Sequence, residues 1–151
     1  MESLKKSVQS VINDGRIGSP VFVRCMLQSP NAEEDTVRAS AALANITNAW
    51  MPSSPEQIYA QQSPDGTQST MMIKYAGGQT ALLSVNRVAA NQEESIDLAL
   101  VGNKGAIYHE TPRGQYRLMR ASIQLDDEGN FSDLIGQAIA SGEPVNLRSG
   151  E

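Results

Sequence analysis

His109 is the only imidazole and Cys25 the only thiol in the 151 residues. A nucleophile–base pair would need a serine in a sharp GxSxG turn near that imidazole, and no such turn occurs. His109 stands beside Glu110 at the end of a strand-like run and reads as a surface residue rather than a general base. Cys25 lies within the apolar run 21–27 and reads as a packed thiol, since free cysteine behaves as a small hydrophobe. A lone cysteine excludes an internal disulfide, and one Cys with one His excludes a structural zinc site within one chain. Asp126, Asp127 and Glu128 precede Gly129-Asn130 and read as a solvated turn, without the enclosing pocket that would split two carboxylate pKa values. The spacings Gly15/Gly18 and Gly102/Gly105 fall in turns. The second opens onto a strand and offers no helix N-terminus to an anion. Spacing alone builds no catalytic constellation.

The elements that would position any such residues follow from periodicity and turn residues. Residues 3–14 carry Leu4, Val8, Val11 and Ile12 at helical spacing, with Gly15 placed to end the helix. Residues 21–27 are dense in strand formers. An Ala-rich helix is predicted over 33–51, stopped by Pro52 and Pro55. Asn31 and Glu34 form a variant capping box, and Glu33, Glu34 and Asp35 fall in the first turn. Strands are predicted over 57–61, 68–76, 79–88, 95–101, 106–110 and 116–125, with a closing helix over 131–140 and Gly142 beyond it. Gly77-Gly78 is a tight-hairpin signal because both glycines accept positive φ.

Tight turns between neighbouring strands make them antiparallel, so the fold class is α+β rather than doubly wound. The expected architecture is one domain over residues 1–151. It is an open-faced, predominantly antiparallel sheet with helices on one face. The second face is not cleanly polar: Thr70, Met72 and Lys74 alternate with Ser69, Met71, Ile73 and Tyr75. A solvated face shows clearer alternation. An identical subunit covering it is the simplest expectation, which makes the chain a homo-oligomer.

Composition sets the outer limits. Hydrophobic residues make up 40% and charged ones 19%, as in globular domains. The net charge of −5 argues against nucleic acid as a partner, because phosphate contacts need clustered Lys and Arg. No apolar run reaches the roughly 20 residues of a membrane span. The start, Met1-Glu2-Ser3-Leu4-Lys5-Lys6, lacks the plan of a signal peptide, and the expected location is cytoplasmic.

Three stretches, VINDGRIGSPVFVRC, WMPSSPEQIYAQ and MMIKYAGGQTALLSVNR…IDLALVGNKGAIY, occur in this order. In order and spacing they resemble the C-terminal domain of the Gfo/Idh/MocA oxidoreductases, from about residue 3 to 144. The resemblance implies an open-faced sheet that contributes substrate contacts and an oligomer interface. A complete enzyme of that family also needs an N-terminal Rossmann domain, and this sequence contains neither its glycine-rich loop nor its Glu-Lys-Pro lysine. Aligned on residues 55–60, the family's His-x-x-Asp pair falls on Ala42 and Asn45. Alanine moves no proton, and an amide cannot charge-balance an imidazole.

The resemblance therefore implies a non-catalytic, stand-alone domain, a pseudoenzyme that binds no cofactor by itself. NAD(P) would enter only with a Rossmann domain from a longer parent. Arg38, Asn45 and Asn48 are its candidate contacts for a small polar ligand. The alternative is the excised C-terminal domain of a longer NAD(P)-dependent sugar or polyol oxidoreductase, since the missing pieces are those that would meet a nucleotide domain.

Overall fold

The computed structural model describes residues 2–31, 35–110 and 131–147. Helix α1 (Glu2–Asn13) ends at Gly15, whose φ of +69° suits the residue without a Cβ. Strand β1 (Pro20–Ser29) then leads to helix α2 (Thr36–Asn48). That helix is shorter at both ends than the expected 33–51. Its N-cap is Asp35, whose carboxylate accepts from the Val37 N–H at 2.9 Å. Asp35 thus stands before the first turn rather than within it, and it takes the capping role assigned to Asn31. At the other end Trp50 N donates to Thr47 O and Met51 N to Asn48 O, so the chain tightens into turns before Pro52.

Strands β2 (Pro55–Gln62), β3 (Gln68–Tyr75) and β4 (Thr80–Arg87) follow as a meander. Strands β5 (Ser95–Gly102) and β6 (Ala106–Glu110) form a second hairpin, and α3 (Phe131–Ser141) and β7 (Val145–Asn146) close the described chain. In the β3–β4 turn only Gly78 has positive φ, at +85°. Gly77 needs no such freedom. The strand expected over 116–125 and the turn 126–130 lie outside the described residues.

The sheet runs β6-β5-β1-β4-β3-β2-β7. All pairs are antiparallel except β1 with β4, where Cys25 stands opposite Leu83. The parallel pair has a simple origin. The chain leaves β1, crosses on α2 to β2, and folds back through two antiparallel turns until β4 meets β1. Gly102 permits close approach at the β5–β6 turn, because a Cβ there would stand 2.1 Å from the Ile17 carbonyl oxygen.

Alternation divides the sheet into two faces. Val23, Cys25 and Leu27 of β1, Met71, Ile73 and Tyr75 of β3, and Ala81, Leu83 and Val85 of β4 are buried on one face. Helices α2 and α3 pack against this face, with Leu43 and Ile135 buried, and Val8 of α1 joins the same core. Each fully buried Leu or Ile contributes about 2 kcal/mol, so this layer carries the fold. Phe22, Arg24, Met26, Thr70, Met72, Lys74 and Leu82 lie on the opposite face, half-buried or exposed. The described chain is thus an α+β, mostly antiparallel open sheet with its helices on one side.

Candidate functional site

On the open face, cross-strand partners line up in rows. Tyr108, Ala99, Arg24, Leu82, Met72 and Tyr59 follow one another across six strands. The next row reads Glu110, Asp97, Met26, Ser84, Thr70 and Gln61. On the other side of the middle row stand Val101, Phe22, Thr80 and Lys74. Tyr108 is 75% exposed and Leu82 38%. The face is therefore apolar along its middle, with Arg24 as the one charge in that row. The Ser84 and Thr70 hydroxyls lie 3.3 Å apart, and Gln61 Nε2 donates to the Tyr59 hydroxyl, so part of the polar fringe satisfies itself.

Helix α2 carries the residues singled out for ligand contact. Arg38 is exposed, and Asn45 and Asn48 are half-buried. At 100° per residue, Arg38, Ala42 and Asn45 share a stripe, while Asn48 is turned about 80° from Arg38. Ala42 is only 3% exposed, so the stripe is interrupted by a buried methyl group. Asn45 already has a partner within the chain. Arg38 and Asn45 therefore share one helical stripe, and Asn48, about 60° from Asn45, stands at its margin.

Asn48 also shares a property not singled out from spacing. Asn48 Oδ1, Trp50 Nε1 and the Tyr75 hydroxyl are buried without a hydrogen-bond partner. The Thr47 hydroxyl beside Tyr75 donates to the Leu43 and Ala44 carbonyls at 2.9 and 3.2 Å. Burial pushes the Tyr75 phenol up to about 12, with Thr47 acting weakly in the opposite sense. The Trp50 and Tyr75 residue types hint at this, but burial of their polar tips is a tertiary fact that no local pattern encodes.

Burial, reinforced by the charge of Asp97, also pushes the Cys25 thiol up to about 12, so it is a packing group and no nucleophile. His109 is half-buried on β6, the end strand of the sheet among the described residues, opposite Leu98. Among the described residues no three His, Cys, Asp or Glu side chains are grouped as a metal site. A shallow depression of about 440 Å³ is lined by Glu56, Gln57, Lys74, Asn146 and Leu147. Gln57 Nε2 donates there to Asn146 Oδ1 at 2.9 Å, and the setting is open to solvent.

The described residues do not fit a dinucleotide. No glycine-rich turn among them joins a strand to a helix. The α2 N-terminus, where a pyrophosphate could bind, is filled by the chain's own Asp35 carboxylate. Among the described residues no helix is long and apolar enough to cross a membrane.

The fold defined by this sheet and its helices is that of dehydrogenases of the Gfo/Idh/MocA type. A scyllo-inositol dehydrogenase from Lactobacillus casei, solved with NAD(H) and scyllo-inositol, superposes with a TM-score of 0.72 at 10% identity, covering 96% of this chain and 62% of that one. A myo-inositol dehydrogenase from Corynebacterium glutamicum gives 0.71 at 10% identity, covering 97% and 62%. A probable dehydrogenase from Thermotoga maritima gives 0.70 at 14% identity, covering 97% and 62%. The chain thus spans about three-fifths of the length of the solved dehydrogenases it matches. No family model matches the sequence, and no curated protein is significantly similar to it.

Proposed function

We propose that this chain is a non-catalytic module built on the substrate-binding and oligomerisation fold of these dehydrogenases, and that it self-associates through its open sheet face. The observation that carries the reading is the middle row of that face, where exposed Tyr108 and Leu82 and half-buried Met72 and Tyr59 put apolar surface on the unhelical side of the sheet. Contiguous exposed apolar surface of this kind marks an interaction site. Buried Ala42 and engaged Asn45 leave the helix without an acid–base pair. A small polar ligand would be met by Arg38 and the exposed part of Asn45.

Light scattering across a wide dilution range tests the reading. A dimeric or larger mass that persists to low micromolar concentration supports it, and a monomer throughout overturns it. Titration with NADH, followed by the fluorescence of the reduced nicotinamide, tests the absence of cofactor binding; saturable binding would count against a non-catalytic module.

The second reading, a domain of a longer NAD(P)-dependent sugar or polyol oxidoreductase, is favoured by the chain's spanning only about three-fifths of the matched dehydrogenases. A nucleotide-binding sequence continuous with this one in the same transcript would establish it.

A further inference from the structure

Arg24 is the one charge in the middle row of the open face, and apolar self-association leaves it unexplained. It sits in mid-sheet, exposed, between Ala99 on β5 and Leu82 on β4. Covering it with a purely apolar surface would strand a guanidinium out of water without a partner, which is costly. An occupant that presents a carboxylate to it avoids this cost. Two carboxylates of this face, Asp97 and Glu110, stand opposite each other on β5 and β6, one row away from Arg24. The face thus holds both halves of a pair, offset from each other, which is the requirement for an interface between identical copies.

Building on the self-association proposed above, with a second copy as the occupant, we infer that Arg24 of each copy pairs with the Asp97 carboxylate of the other. Twisted sheets keep a uniform gap when their strands run nearly in line, about 10 Å apart. A twofold axis lying across the strands, midway between the Arg24 row and the Asp97 row, exchanges those two rows. Arg24 then lies over the partner's Met26, about one strand spacing (~4.8 Å) to the side of the partner's Asp97. The long arginine stem and the short aspartate together bridge the gap. The same operation sets Leu82 over the partner's Ser84 and moves the two Arg24 side chains off each other. An axis running through the Arg24 row itself would stack them and is disfavoured by like-charge repulsion.

Charge exchange with light scattering tests this on the full chain. Arg24→Glu and Asp97→Arg alter non-core positions, and circular dichroism verifies that each variant keeps its fold. Each single variant is expected to weaken self-association at least tenfold. An equimolar mixture of the two is expected to recover the wild-type mass, because both cross-pairs are then complementary, and Arg24→Glu/Asp97→Arg in one chain is expected to do the same. Single variants that associate like wild type overturn the pairing and leave self-association standing. A mixture that stays monomeric while the double variant recovers places the pair within one chain and also overturns it. A monomeric wild type removes the proposal together with the reading it rests on.

Discussion

The Ser40 hydroxyl donates to the Ser69 hydroxyl at 3.1 Å, and both residues are almost completely buried between α2 and β3. Two hydroxyls in the helix–sheet layer are tolerated because they satisfy each other. Ser40→Ala leaves the Ser69 oxygen buried with one partner fewer, and should cost about 1–3 kcal/mol. The double Ser→Ala variant should cost clearly less than the sum of the singles, because two methyl groups need no partner. Urea unfolding of the four proteins checks this, and strict additivity would show that the pair is energetically unimportant.

Cys25 and Tyr75 make the alkaline limb of stability the sensitive one. Both groups are held neutral by burial, each pushed up to about 12 from ordinary values near 9 and 10. The unfolded chain ionises first, so stability should hold below about pH 9 and fall progressively toward pH 12. The native thiol should stay unreactive toward a disulfide reagent at pH 8 and react at once in denaturant. Rapid modification of the folded chain would contradict the packed position given to Cys25.

The hairpins were legible because turn residues and strand formers act locally: Gly78 closes the β3–β4 turn with φ of +85°, and the flanking runs become strands. The parallel contact between β1 and β4 was not, because it depends on where the meander returns after the α2 crossover. The start of α2 misled for a local reason. Any of several acidic or amide residues between Asn31 and Asp35 could cap, and only backbone geometry selects Asp35. Arg38, Asn45 and Asn48 looked equivalent as polar helix residues. The 3.6-residue repeat and the buried methyl of Ala42 separate them, and the second of these appears only once α2 is packed.

Asp65 gives an acidic counterpart. Its carboxylate is held down to about 2 by the Ser63 hydroxyl at 2.6 Å, then by the Thr67 hydroxyl at 2.8 Å and the Thr67 N–H at 3.1 Å. The stabilisation it gives the β2–β3 turn is present above the ordinary carboxylate range near pH 4 and lost as pH falls toward 2. Asp65→Asn should therefore flatten the pH dependence of thermal unfolding between pH 4 and 2. The side chain is fully solvent-exposed, so the difference should be small and salt-sensitive. An unchanged slope would assign the acid sensitivity to other carboxylates.

Introducing a His-x-x-Asp pair on α2 tests whether the helix can carry a catalytic site. Ala42 is 3% exposed, and Ala39, Leu43 and Ala44 around it are buried as well. An imidazole at position 42 must displace packed neighbours, at a cost of about 1–3 kcal/mol. Asn45→Asp is milder, since Asn45 is half-buried and keeps contact with solvent. The double variant Ala42→His/Asn45→Asp should therefore unfold at lower denaturant than Asn45→Asp alone and transfer no hydride between NAD(P)H and a polyol-derived ketone. On the non-catalytic reading proposed above, even a well-placed imidazole would have no cofactor to act on. Adding a separate Rossmann domain in trans separates the two causes. Turnover gained only with that domain present would mean that the packing at position 42 opens and that the helix faces a substrate. Destabilisation without turnover in either setting would fix Ala42 as a core residue.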